Sequence, residues 1–261
     1  MEKEYKQINK ESWNKRVELH LPSEFYKMDE FLEGATSLKE IELDLLGDVS
    51  GKKILHLQCH FGQDSLSLAR MGAKVTGVDI SDTAIYEARK LNEQLGLDAE
   101  FICCDIYDLP SHLNDEFDIV FTSYGTIIWL PDLDKWASVV HRFLRPKGQF
   151  IFVDFHPIVE MCNADFTEVQ YGYFNEQAFE EIETGSYASG AEVALKSVTW
   201  NHPLSEVFTS LINNGLTIKK FEEFNFSPYN CFNDMEEVKP KRFQFEKMEG
   251  KIPMVYALVC G

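Results

Sequence analysis

Residues 54–81, ILHLQCHFGQDSLSLARMGAKVTGVDIS, carry the pattern that decides the fold. Ile54, Leu55 and Leu57 make a short apolar strand, 58–62 a loop, and 64–70 has helical spacing. A second strand over 74–80 carries Asp79 at its carboxyl end. A strand–loop–helix–strand unit of this kind brings a helix N-terminus, with its free N–H groups, and a strand-closing carboxylate to one crevice. That crevice suits a nucleoside-bearing cofactor.

The same alternation continues outward. Strands are predicted at 53–57, 74–79, 100–104, 117–123 and 149–155. Ser81 is a good N-cap for a helix whose apolar face is Ala84, Ala88, Leu91 and Leu95, with Gly96 as its stop. Pro131-Asp132 opens another, with Leu133, Trp136, Ala137, Val140 and Leu144 inward, and Pro146 ends it near Arg145. Strands separated by helices predict an α/β fold, a parallel sheet covered on both faces. Four regions result: an N-terminal helical lid over 1–50, a cofactor-binding core over 51–156, a cap insertion over 157–200 rich in aromatics and acids, and a return to the core over 201–261. The last region is read as a helix at 205–214 with Val207, Phe208, Leu211 and Ile212 inward, strands at 216–226 and 252–260, and an irregular loop between them.

Composition narrows the function. The 261 residues carry 25 Lys and Arg against 43 Asp and Glu, a formal charge of −18. Such a field repels polyanions, so nucleic acid is not an expected partner. Six cysteines without a CxxC pair fit a reducing compartment. The polar N-terminus is no signal peptide and no apolar run reaches membrane-spanning length, so a cytoplasmic protein without membrane attachment is expected. His56 and His60 lie four apart on a strand and loop without a third ligand, which argues against zinc.

The ordered motifs LHLQCHFG (55–62), GVDIS (77–81), CDIYDLP (104–110), FDIVFTSYG (117–125) and LRPKGQFIFVDFHP (144–157) together resemble the class I S-adenosylmethionine-dependent methyltransferases. The resemblance covers about 52–226 well, and the segment NKESWNKRVELHLPSEFYKMDEFL (9–32) resembles the lid of one small-molecule branch. It implies a Rossmann-like, seven-stranded, mostly parallel sheet with helices on both faces and an antiparallel final strand. It also implies S-adenosyl-L-methionine as cofactor, S-adenosyl-L-homocysteine as product, and a small-molecule methyl acceptor, in a monomer or homodimer.

Carried over residue by residue, the resemblance makes Asp79 the acceptor for the ribose diol, with Ile80 beside it. Cys104, Asp105 and Ile106 face the adenine, and Thr122, Ser123 and Tyr124 the methionine end. Gln58, Cys59, His60, Gly62 and Ser65 belong to the loop and helix start. Trp13 and Arg16 reach over from the lid, Arg16 toward the methionine carboxylate. Tyr124 and Trp129 are candidates to pack near the sulfonium. His156, after the fifth strand, and Tyr124 are the catalytic candidates, His156 as general base. The cap's aromatics and acids, such as Glu176 and Glu180, would receive an amine-bearing or aromatic acceptor.

The loop departs from the family pattern: His56, Gln58 and His60 stand where an acid and two glycines are expected, and only Gly62 remains. A non-glycine residue in the left-handed region costs roughly 1–2 kcal/mol, so Gln58 and His60 are expected to keep negative φ. Two other classes stay open. A catalytically silent S-adenosylmethionine-binding regulatory protein would have its acceptor space filled. A nicotinamide-dependent oxidoreductase would use Asp79 on its own ribose.

Overall fold

The chain opens with three helices, α1 (Glu2–His20), α2 (Met28–Leu32) and α3 (Glu40–Leu46), and enters the alternation at β1 (Lys53–Leu57). There follow α4 (Gln63–Arg70), β2 (Lys74–Asp79), α5 (Asp82–Gln94), β3 (Glu100–Cys103), β4 (Phe117–Ser123), α6 (Leu133–Phe143) and β5 (Leu144–Phe155). Next come a hairpin of β6 (Phe179–Ser186) and β7 (Ser189–Thr199), α7 (Leu204–Asn213), β8 (Ile218–Phe224), a second hairpin of β9 (Met235–Lys239) and β10 (Arg242–Phe245), and β11 (Val255–Cys260). This computed structural model describes residues 2–163 and 166–261; Met1 of the predicted lid and Ala164 and Asp165 of the predicted cap lie outside them.

Seven strands form the main sheet in the order β3-β2-β1-β4-β5-β11-β8. The first five run parallel, and β11 is antiparallel to both its neighbours. The expected topology is present, antiparallel final strand included. The order reverses between β1 and β4, which opens a crevice at their carboxyl ends. Alternate side chains feed two apolar layers. Leu55 and Leu57 pack with Trp136, Phe143, Val207 and Leu211 of α6 and α7. Ile54 packs with Leu66, Leu68, Ile85 and Leu91 of α4 and α5, and with Val17 of α1. Each large side chain so buried contributes about 1.5–3 kcal/mol.

Helix ends follow the expected chemistry. Ser81 Oγ accepts the Ala84 N–H at 3.0 Å, and Asp132 Oδ1 accepts the Lys135 N–H at 3.0 Å. Several expectations need correction. The helix expected to reach Arg145 stops at Phe143, and β5 starts at Leu144, where that residue pairs with Phe117 ahead of a register shift. Ile212 faces solvent at 57 % exposure. The closing strands are shorter than read: β8 starts at Ile218, after Leu216 has turned into the core, and β11 starts at Val255. The expected irregular loop contains the β9–β10 hairpin, whose Phe245 is buried against Phe166 and Phe232.

The 157–200 cap is built on the β6–β7 hairpin, and α1 is bonded to it along its length. The Asn9 amide donates to the Val198 carbonyl at 2.8 Å and accepts the Val198 N–H at 2.9 Å, as a strand neighbour would. Arg16 pairs with Glu183 at 2.8 Å, His20 with Ser186 at 2.7 Å, and the Tyr26 and Tyr187 hydroxyls meet at 2.6 Å. On its other side α1 reaches the start of α5: Ser81 donates to the Asn14 side-chain carbonyl at 2.6 Å. Lid and cap thus close one roof over the carboxyl edge of the sheet.

Candidate active site

Beneath that roof lies a cavity of about 740 Å³, at the carboxyl ends of β1, β2, β4 and β5. Its size is that of a small-molecule site. Its floor is the loop after β1. Gln58 has φ 54°, His60 φ 52° and Gly62 φ 80°, so three alternating residues occupy the left-handed region. The expectation of negative φ for Gln58 and His60 is therefore wrong. Tertiary contacts hold them there. Gln58 Nε2 donates to the Thr126 carbonyl at 2.8 Å, and the His60 N–H donates to Asp79 Oδ2 at 2.8 Å. The His60 ring packs on Trp13 (5.2 Å between centroids) and Phe61 (4.2 Å), and its Nε2 lies 3.3 Å from His20 Nδ1. Together these outweigh the roughly 1–2 kcal/mol that each position costs. The loop thus takes left-handed backbone at three alternating positions with glycine at only the last of them. Gly62 alone has no room for more: a Cβ there would lie 2.8 Å from Phe101 Cε1 and 3.0 Å from Ala88 Cβ.

Asp79 stands over this loop. Its Oδ2 accepts the His60 N–H and its Oδ1 accepts the Ser81 N–H at 2.9 Å, leaving lone pairs on both oxygens. Burial raises the carboxyl to about 6, against those N–H groups, which favour the ion. Asp105 accepts the Tyr107 N–H at 2.7 Å, so it is a turn aspartate, and it also pairs with Lys6 of the lid at 3.1 Å. Ile106 is buried beside it. Trp13, Arg16, Gln58, Cys59, His60, Gly62, Asp79, Ile80, Cys104, Asp105, Ile106, Ser123 and Tyr124 all line the cavity.

Three predicted site residues do not. Ser65 is buried with its Oγ 2.8 Å from His56 Nδ1. Thr122 donates to the Leu57 carbonyl at 3.2 Å, between strands. His156 is 3 % exposed; its Nδ1 accepts the Ile158 N–H at 3.2 Å and its Nε2 lies 3.1 Å from Glu223. With both ring nitrogens engaged away from the cavity, His156 has no free lone pair for a general base. His56, where an acid was expected, stays neutral, since burial lowers it to about 4.

The far end of the cavity is aromatic and acidic. Arg16, 3 % exposed, lies beside the rings of Trp13 and Trp129, whose centroids are 5.2 Å apart, with its guanidinium carbon 5.7 and 5.8 Å from them. Its Nη2 holds Glu183 of the cap, while its Nε and the Oε1 of Gln58 are buried without partners. Burial lowers His20 to about 3, with Arg16 adding to it, and burial lowers His60 well below its ordinary value, so both imidazoles are neutral. Tyr124, at φ 43°, donates its hydroxyl to Glu42 at 2.8 Å. Glu42 is wholly buried, and burial, with Asp64 nearby, raises it to about 7. Asp154, at the end of β5, accepts backbone N–H groups from Gly125, Thr126, Ile127 and Phe155 and fixes the loop below Trp129.

The acids nominated in the cap are the wrong ones. Glu176 and Glu180 face solvent, Glu180 paired with Lys196. Glu181 and Glu183, at the other parity of β6, line the cavity together with Glu160. Sequence reading also passed over Tyr26, Glu42, Glu160 and Tyr229. The available signal was an inverted alternation in FEEIETGS, which turns Ile182 outward at 71 % exposure. Among the described residues no group of three His, Cys, Asp or Glu is placed to hold a metal ion, and no helix is long and apolar enough to cross a membrane.

A family model described as a methyltransferase domain matches residues 54–148. An uncharacterized methyltransferase of Synechocystis sp. is 36 % identical over 124 residues, 47 % of this chain and 56 % of that protein. A ubiquinone biosynthesis O-methyltransferase of Pseudomonas syringae is 29 % identical over 110 residues, 42 % of this chain and 47 % of that one. The chain thus matches about half the length of these curated relatives. Among solved structures, an S-adenosylmethionine-dependent methyltransferase from Mesorhizobium loti aligns with a TM-score of 0.56 at 20 % identity, over 88 % of this chain and 99 % of that one.

Proposed function

We propose that this chain, whose residues 54–148 match a methyltransferase domain, is a class I methyltransferase that uses S-adenosylmethionine to methylate an oxygen or nitrogen atom of a small molecule. The observation that carries this reading is the single roofed cavity: it begins at Asp79 and the glycine-like loop and continues past Tyr124 to the cap. A silent binder would have that second half filled. The word O-methyltransferase in the name of the Pseudomonas relative agrees with an oxygen acceptor.

The residues present suit the cofactor's parts. Asp79 would take the two ribose hydroxyls, and Asp105 and Ile106 would flank the adenine. The unpartnered Nε of Arg16 would meet the methionine carboxylate, and the unpartnered Oε1 of Gln58 its ammonium. Arg16 and Gln58 each orphan a buried polar atom, which costs about 1–3 kcal/mol until a ligand supplies the missing bond. When bound, S-adenosylmethionine supplies a methyl group already activated on a sulfonium. What remains for this chain is to position and to exclude water. Trp13, Trp129 and Tyr124 would wall the methionine end, the α1–cap roof would keep solvent out, and Asp154 would hold the 125–127 loop in place. Positioning of this kind can lower a barrier by about 7–11 kcal/mol.

The test is transfer of a labelled methyl group from S-adenosylmethionine into a deproteinised small-molecule extract. Label in one or a few small products is expected. Label confined to unreacted cofactor, with the cofactor bound, would turn the assignment toward the silent binder.

A further inference from the structure

Resting on that reading, we propose that the acceptor half of the cavity is built for a small aromatic or apolar molecule bearing a protonated amine, with Glu160 as its counter-ion. Glu160 follows β5 on a one-turn 3-10 helix and lines the cavity. Asp154 and Glu183 act on it as like charges, Cys231 lies near enough to sense its charge, and the Asn201 amide donates to its backbone carbonyl at 3.5 Å rather than to its carboxylate.

The other acids here already have partners. Glu183 is held by Arg16 at 2.8 Å and by Ser197 at 2.8 Å. Glu181 accepts the Tyr171 hydroxyl, and Asp154 is saturated by backbone N–H groups. Among the described residues, the Glu160 carboxylate has neither a hydrogen-bond donor nor a cation. Burial, reinforced by the two neighbouring acids, raises it to about 7. Glu160 is half-buried, and a carboxylate partly withdrawn from water without a partner gains from a cation placed against it.

The adjoining wall supplies the rest of the recognition. Tyr124, Phe155 and Phe232 form a continuous chain of rings, at centroid separations of 5.6 and 5.1 Å. Ring faces attract an ammonium and bury the apolar body that carries it. Each cation on the cavity wall is already engaged: Arg16 with Glu183, Lys6 with Asp105, Lys27 with Glu30, and Lys39 over the Tyr229 ring at 4.7 Å. Among the described residues no cation is left for Glu160, so a charge placed opposite it would be carried by a bound molecule.

Phenethylamine and its neutral counterpart 2-phenylethanol separate charge recognition from ring packing. Calorimetry on protein loaded with S-adenosylhomocysteine is expected to show the amine binding at least tenfold tighter than the alcohol. Glu160→Gln should erase that preference and Glu160→Asp should keep part of it, both with unchanged S-adenosylhomocysteine affinity, which also shows that they fold. Equal binding of the two probes, no binding of either, or a preference that survives Glu160→Gln overturns the proposal. Loss of S-adenosylhomocysteine binding in the unaltered protein overturns the underlying reading instead.

Discussion

Asp79→Ala is expected to weaken S-adenosylhomocysteine binding by tenfold or more. The substitution removes the carboxylate that closes β2 and accepts the His60 N–H, and with it, on the proposed ribose role, hydroxyl bonds to a charged acceptor worth about 1.5–3 kcal/mol each. It also leaves the His60 and Ser81 N–H groups without their acceptor, which loosens the loop the ligand rests on. The same residue sets a pH dependence. Its carboxyl is raised by burial to about 6, and hydroxyl donors favour the ionised form. Affinity should therefore fall as pH drops through about 6, and Asp79→Asn should flatten that step. Calorimetric titration of the three proteins across this range checks both. An Asp79→Ala protein of unchanged affinity would mean that the ribose lies elsewhere.

Gly62→Ala should have the largest effect on stability. The new methyl would enter space held by Phe101 and Ala88, at 2.8 and 3.0 Å, with the backbone at φ 80°. Left-handed backbone costs alanine roughly 1–2 kcal/mol and overpacking about 1–3, so a loss of about 2–5 kcal/mol is expected from denaturant unfolding. Gln58→Gly is the contrast. It relieves the same backbone strain while losing one bond to the Thr126 carbonyl, and should stay within about 1 kcal/mol of the parent. Equal losses from the two substitutions would show that the loop's backbone, rather than the crowding at Gly62, governs its tolerance.

The contrast between these positions also explains which parts of the molecule were readable in the sequence. Strands 53–57 and 117–123 each contain four consecutive buried residues, Ile54 to Leu57 and Ile119 to Thr122, that meet a layer of core on both faces, so their signal is local. Ser81 and Asp132 announce their helices through bonds three residues away. The loop conformation is not local. Gln58 is held by a carbonyl 68 residues on, and His60 by a helix 40 residues back. No propensity of glutamine or histidine encodes those contacts. His156 misled for the same reason, since Glu223, 67 residues away, claims its ring. In the cap, which acids face inward depends on the parity of β6. A one-residue difference exchanges Glu180 for Glu181, and that parity is fixed by pairing with β7 rather than by composition. The chemistry of the site was legible as residue types at a sheet edge, and its wiring came from the tertiary contacts that close the roof.

The proposed site holds the adenosyl cofactor at Asp79 through a glycine-like loop that keeps one glycine, Gly62. Calorimetric titration with S-adenosylhomocysteine and, separately, with NADH tests it most directly. Binding of S-adenosylhomocysteine in the micromolar range with no binding of NADH is the predicted result. Binding of NADH with none of S-adenosylhomocysteine would contradict it.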